Sequence, residues 1–244
     1  MDFNVIHLDA VDSTNRWLAD AGLTGSVCVW TDFQTAGRGC GANSWESQAG
    51  KNLLFSMLIH PSAMKAASQF RISMAAALAV VRAVEELGVE GLSIKWPNDI
   101  YWHDRKLGGI LIENSLTAGC VRRSIIGVGL NVNQKQFVSD APNPVSLRQI
   151  VGHELDREQL LQRVLCHFVP DISADEYRQR LYRRTGVHRY KDADGPFEAS
   201  IVTVEDDGHL LLRDGGGSQR RYAFKEVVFL LPSVTEEPIK PINQ

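Results

Sequence analysis

The sequence predicts an α/β protein in which an apolar helix packs on a sheet, an outer helix pair closes the domain, and a small antiparallel barrel follows. Three observations predict it. Residues 70–87, FRISMAAALAVVRAVEEL, combine helical length and strong helix formers with Gly88 just past the end. They are apolar nearly all round, as a core helix is. β-Rich runs at 27–33, 51–60, 93–96, 100–102, 107–113 and 122–133 supply the sheet. Near Gly186 the period changes to short runs at 197–204, 210–213 and 221–231, parted by Asp206-Asp207-Gly208 and Gly215-Gly216-Gly217, which is hairpin punctuation.

With 244 residues, 44% of them hydrophobic, the chain can bury a sizeable core. Lys plus Arg number 26 against 29 Asp plus Glu, a formal net charge of -3, which leaves no basic surplus to hold nucleic acid. The N-terminus lacks a basic and an apolar signal region, and no run approaches the roughly 18 uninterrupted apolar residues of a membrane span. Cys28, Cys40, Cys120 and Cys166 are scattered without a C-x-x-C pair, which fits reduced thiols and a cytoplasmic protein.

In chain order, Asp12-Ser13-Thr14-Asn15 precedes a short helix that Gly22 closes. These side chains either cap the helix or hydrogen-bond a small polar ligand. Gln34 to Asn43 then breaks a strand with three glycines around Arg38. Such a loop is either surface connection or a place where backbone N–H groups and a guanidinium meet a phosphate or carboxylate. Neither a P-loop nor a G-x-G-x-x-G before a helix is present. In 122–133, RRSIIGVGLNVN, Gly127 and Gly129 leave one face bare, and period two aligns Asn131 and Asn133 with it. That face suits a flat ring, or else a close crossing of two strands. Pro142-Asn143-Pro144 opens a loop, 156–184 reads as a helix pair interrupted at Pro170, and 235–244 reads as a disordered tail.

The stretch 93–113, SIKWPNDIYWHDRKLGGILIE, is a ribbon with polar bends. Pro97-Asn98-Asp99 makes the first turn and His103-Asp104-Arg105 the second, while Gly108 and Gly109 interrupt the last strand. Lys95 and Lys106 flank these turns with Asp99 between them. Two ammonium groups beside an acid and bare backbone suit an anionic ligand with a metal; an ordinary surface meander is the alternative.

Together these stretches resemble the biotin protein ligases, on KWPND at 95–99, RKLGGILIE at 105–113, GVGLN at 127–131, the 34–39 loop and Asp12-Ser13-Thr14-Asn15. The resemblance implies a catalytic domain with a mixed sheet flanked by helices (residues 1–187), an SH3-like β-barrel (188–234) and the tail. It implies joining of biotin to ATP, giving biotinyl-5'-AMP, and transfer of biotin to a lysine of a biotin carboxyl carrier protein domain. Carried over by residue, Ser13, Thr14, Asn15, Gln34, Arg38, Gly39, Cys40, Lys106 and Gly109 hold biotin. Lys95, Asn98, Asp99, Gly127, Gly129 and Asn131 hold the nucleotide, and Asp99 is the candidate ligand for Mg²⁺. Lys106 and Arg38 carry the catalytic charge. Relatives are often homodimers; a DNA-binding repressor function is not expected, since no helix-turn-helix precedes Asp12. A lipoate or octanoate ligase and a non-enzymatic biotin-sensing module are the rival readings.

One residue departs from the family pattern. The loop usually continues G-R-G-R, whereas Cys40 stands at the fourth position. A neutral thiol makes no charge-assisted bond to a phosphate. Either another cation, with Lys51 or Arg105 as candidates, covers the phosphate, or the intermediate is held loosely; the second is the expectation from sequence.

Overall fold

The computed structural model describes residues 1–41, 43–138, 143–170 and 172–232. The expected tail at 235–244 and Pro142 of the expected loop lie outside them. Chain order is β1 (Asn4–Val11), α1 (Thr14–Asp20), β2 (Val27–Gln34), β3 (Leu53–Ile59), α2 (Phe70–Glu85), β4 (Leu92–Lys95), β5 (Asp99–Trp102), β6 (Arg105–Thr117) and β7 (Cys120–Leu130). Three short helices follow: α3 (Leu147–Val151), α4 (Arg157–His167) and α5 (Ala174–Gln179). Then come β8 (His188–Asp192), β9 (Gly195–Val204), β10 (Leu210–Asp214), β11 (Gln219–Tyr222) and β12 (Val228–Phe229).

Among the described residues, seven strands form one sheet in the order β1-β2-β3-β7-β6-β5-β4. It is mixed: β1 runs parallel to β2 and the other neighbours are antiparallel. The sequence reading missed β1, because its run of polar and apolar residues carries no turn signal and half of it stays accessible. One face of the sheet packs on α2, whose Ile72, Met74, Leu78, Val81 and Val84 are buried with Phe55, Ile94 and Ile126. The stretch 66–85 reaches the length and hydropathy of a membrane span, yet most of it is buried here against the sheet and α4. The opposite face is divided. Toward one end Val27, Val29, Leu58 and Ile125 bury Leu18 of α1; toward the other the side chains shrink and polar groups take over.

The helix pair expected around Pro170 is α4 and α5. Asp156 caps α4 by accepting from Glu158 N and Gln159 N, which satisfies amides a helix start leaves unpaired.

The last five strands form an antiparallel sheet in the order β11-β10-β9-β8-β12, with β11 and β12 as its edges. Among the described residues those edges are not paired with each other. This sheet does not stand apart from the rest: Tyr190, Leu210, Tyr222 and Phe229 belong to the same buried cluster as the large sheet and α2. Trp96 Nε1 donates to Gly208 O at 2.8 Å, and Arg178 Nε to Val204 O at 2.8 Å.

Candidate functional site

A cleft of about 230 Å³ opens on the divided face, between the N-terminus of α1, the loop after β2, the β4–β7 strands and one turn of the C-terminal sheet. Sheet register builds its floor. Cross-strand pairing places Lys95 opposite Asp99, Asp99 opposite Gly109, and Gly109 opposite Gly129, a single row over four strands. A second row runs Leu111, Gly127, Ser56. Pairing in register brings together residues distant in sequence without any need for long side chains.

Lys106 joins the first row only because the ladder is irregular. Tyr101 pairs with Lys106 while Ile100 pairs with Gly108, so β6 carries one extra residue, a β-bulge that re-aims a side chain. Under strict alternation Lys106 and Gly109 would face opposite sides; with the bulge both line the cleft. Lys106 Nζ lies 2.7 Å from Asp99 Oδ1, and Lys95 Nζ lies 3.8 Å from Asp99 Oδ2. One carboxylate therefore stands between two cations, which leaves a net positive site.

The side chains at the start of α1 are not its caps. Ser13 occupies the N-cap position but makes no side-chain cap hydrogen bond. Instead Thr14 N–H and hydroxyl both donate to Gln34 Oε1, at 2.8 and 3.1 Å. Asn15 Nδ2 donates to Glu113 Oε2 at 2.7 Å, and Asn15 Oδ1 accepts from Ser56 Oγ at 2.6 Å. Ser13, Thr14 and Asn15 are each 3% exposed, and buried polar groups bonded as those of Thr14 and Asn15 are form a rigid polar end to the cleft. Gly127 makes room for it: a Cβ there would sit 2.3 Å from Asn15 Oδ1.

The glycine loop folds back as a narrow hairpin, with Arg38 bridged to Ser44, Gly39 N–H donating to Asn43 O at 2.8 Å and Trp45 N–H to Gly37 O at 3.0 Å. Arg38 pairs with Glu113 at 3.2 Å. Cys40 Sγ accepts from Asn98 Nδ2 at 2.9 Å, and burial raises its thiol pKa, so it stays neutral at physiological pH. Asn98 Nδ2 also reaches Ile110 O.

Trp45 was not foreseen. Its indole lies over the bare face, where a Cβ on Gly129 would come 2.4 Å from Trp45 Cε2 and one on Gly109 would come 3.2 Å from Cζ3. The face was read as a seat for a flat ring, and the chain's own ring covers it. Trp45 Nε1 is buried without a partner among the described residues, and Lys106 Nζ sits 5.8 Å from the ring. A lone tryptophan in the polar run Asn43-Ser44-Trp45-Glu46-Ser47 was the signal available. Ser56, Glu113 and Phe224 were missed too, and they had no signal, since each reaches the site only through folding.

Every other residue expected at the site lines the cleft, namely Ser13, Thr14, Asn15, Gln34, Arg38, Gly39, Cys40, Lys95, Asn98, Asp99, Lys106, Gly109, Gly127 and Gly129. Asn131 does not. Strand β7 ends at Leu130, so period two no longer governs Asn131, whose Nδ2 turns to Val145 O at 3.1 Å inside the core. Asn133 likewise ties the backbone of Leu155, with Nδ2 donating to Leu155 O at 2.9 Å and Oδ1 accepting from Leu155 N–H at 2.9 Å.

Lys95 yields a stability prediction. Burial lowers its pKa from the free value, partly offset by Asp99 and reinforced by Lys106 and Arg183. The unfolded chain therefore binds the proton more tightly: the cost of burying the charge is full below the lowered pKa and fades as pH rises from there toward the free value of about 10.4. Replacing Lys95 by Met, between the rings of Tyr101 and Phe229, is expected to stabilise the ligand-free protein by roughly 1 kcal/mol at pH 7. Urea unfolding at pH 7 and at pH 10 checks this; the gain should shrink at the higher pH, and a loss at pH 7 would refute it.

Residues 9–131 match the model of the biotin/lipoate A/B protein ligase family. The bifunctional ligase/repressor BirA of Bacillus subtilis is 31% identical over 91% of this chain and 73% of that protein. The biotin--[acetyl-CoA-carboxylase] ligase of Paracoccus denitrificans is 31% identical over 87% of this chain and 95% of that protein. Among solved structures, biotin protein ligase from Aquifex aeolicus in complex with biotin and ATP superposes with a TM-score of 0.78 at 25% identity, over 94% of this chain and 99% of that one.

Proposed function

The chain belongs to the biotin/lipoate A/B protein ligase family, and from that premise we propose how its cleft carries out biotin activation and transfer. It is a biotin protein ligase, using ATP to make biotinyl-5'-AMP and passing biotin to the acetyl-CoA carboxylase carrier. The observation that carries the residue assignment is the row Lys95, Asp99, Gly109, Gly129 with Lys106 beside it, adjoining the buried amide and hydroxyl cluster of α1.

In the first step a biotin carboxylate oxygen attacks the α-phosphorus, the bond to the bridging oxygen breaks, and pyrophosphate leaves. Two anions must meet, so cations fixed before the reaction lower the barrier most. Lys106 and Arg38 fill that role: Lys106 is held by Asp99, and Arg38 is parked on Glu113 until an anion competes for it. Thr14, Asn15 and Gln34 orient the ring system of biotin, while Gly39 and Cys40 border its carboxylate. Lys95, Asn98 and Gly129 line the nucleotide side, where Trp45 offers a ring for stacking, while Gly127, expected there from sequence, abuts Asn15 at the biotin end. Asp99 is one hard oxygen ligand and, among the described residues, the carboxylate on the phosphate side of the cleft, Glu113 being engaged by Asn15 and Arg38, a set that fits Mg²⁺ brought in on nucleotide phosphates with its own waters. When bound, the ion would neutralise phosphate charge. In the second step the carrier lysine nitrogen attacks the acyl carbon, AMP departs, and the amine proton passes to solvent. No nucleophile on the enzyme is required.

The small C-terminal sheet is SH3-like in this reading, with its domain spanning 188–234 beside a catalytic domain of 1–187. A cytoplasmic location accords with four free cysteines, and assembly as a homodimer through a sheet edge follows relatives; the net charge of -3 supports no nucleic-acid partner. Incubation with ATP, a biotin carrier domain and either biotin or lipoate tests the function. Mass spectrometry should show one biotin added to the carrier and pyrophosphate released; lipoyl addition in its place, or ligand binding without pyrophosphate, would overturn it.

A further inference from the structure

Residues 223–226 form a turn of the C-terminal sheet that closes back over the cleft, with Glu226 N–H donating to Ala223 O at 3.2 Å and Glu226 Oε2 accepting from Ala223 N–H at 2.6 Å. At its tip Phe224 is 47% exposed yet lines the cleft. Lys225 has φ +72°, a left-handed conformation that costs a side-chain-bearing residue free energy and that glycine would adopt freely. A lysine retained where glycine fits better points to a use for the side chain. Its ammonium reaches across to the glycine loop, so close that a Cβ on Gly41 would lie 2.4 Å from Lys225 Nζ. Among the described residues no carboxylate pairs with it.

Cys40, next to Gly41 in the chain, feels the charge of both this ammonium and that of Lys106. The two cations considered from sequence lie elsewhere or are engaged: Lys51 faces Glu154 at 3.5 Å, and Arg105 already has a partner of its own. We propose that Lys225 grips the phosphate of the acyl-adenylate from the C-terminal sheet, supplying the cation that Cys40 does not. This rests on the ligase reading and extends it: the adenylate site is completed by a residue outside the large sheet, and the tight-binding loop cation has been replaced in position, not lost.

The test uses the full chain loaded with biotin and ATP, and follows release of biotinyl-5'-AMP by trapping it with a free amine. Lys225→Gly removes the charge and relieves the backbone strain, so it should fold at least as stably as the parent. Release is expected to quicken about fivefold, which is ~1 kcal/mol, with a weaker dependence on salt than the parent shows. Lys225→Arg should stay near the parent rate. Cys40→Arg should restore retention in the Lys225→Gly background, slowing release there several-fold more than it does in the parent. Release from Lys225→Gly within about twofold of the parent would overturn the proposal, as would an equal slowing by Cys40→Arg in both backgrounds. A parent protein with no biotin-dependent pyrophosphate burst would instead bring down the ligase reading; a burst with unaltered release from Lys225→Gly refutes only the role of Lys225.

Discussion

Lys106→Ala is expected to lower biotin-dependent pyrophosphate release by at least about 100-fold while the protein stays folded. Charge-stabilising donors of this kind contribute roughly 3–4 kcal/mol to the transition state. Lys106 satisfies the geometric condition for such a contribution: its side chain is 22% exposed and its Nζ is held 2.7 Å from Asp99, so it is already placed when the anions arrive and little reorganisation is needed. Folding should survive because its neighbours in the floor are glycines and Asp99, which keeps Lys95 as a second partner. Single-turnover pyrophosphate release with circular dichroism as the folding control measures both. Release within about threefold of the parent, under 1 kcal/mol, would remove Lys106 from the reaction.

Gly127→Ala should raise the KM for biotin about tenfold or more with a smaller effect on the turnover of bound substrate. The added methyl would meet Asn15 Oδ1 at 2.3 Å and Cγ at 2.9 Å. A side-chain end can often swing aside, but this one is fixed by Ser56, Glu113 and the Leu111 carbonyl. Moving it leaves buried partners unsatisfied at about 1–3 kcal/mol each. Since the network holds the ring end of the cleft and not the phosphate end, binding suffers first. Combining Gly127→Ala with Asn15→Ala should cost less than the sum of the two, because residues in one network are not additive. Strict additivity, or an unchanged KM in the single variant, would show that the network takes no part in binding biotin.

Much of this site was legible in the residues themselves. KWPND and KLGGILIE placed two lysines, an acid and paired glycines within one ribbon, and turn chemistry with glycine punctuation located strands, bends and the long core helix, because those signals act over a few neighbouring positions. The same local rules misplaced what depends on partners. Period two sent Asn131 toward the cleft, but the strand stops one residue earlier and the amide serves the core. Capping preference explained Ser13, Thr14 and Asn15, yet the side chains of Thr14 and Asn15 bond across to Gln34, Ser56 and Glu113. Nor could alternation set Lys106 beside Gly109; that needed an extra residue bulged against β5. Trp45 over Gly129 and Lys225 beside Gly41 likewise join segments far apart in the chain. The sequence by itself determined the elements and the chemical kind of each side chain, since backbone preference and ionisation are properties of a residue and its near neighbours. Which side chains share the cleft was decided only by tertiary structure, because strand register, a single bulge and the docking of the C-terminal turn are set by long-range packing that no local pattern encodes.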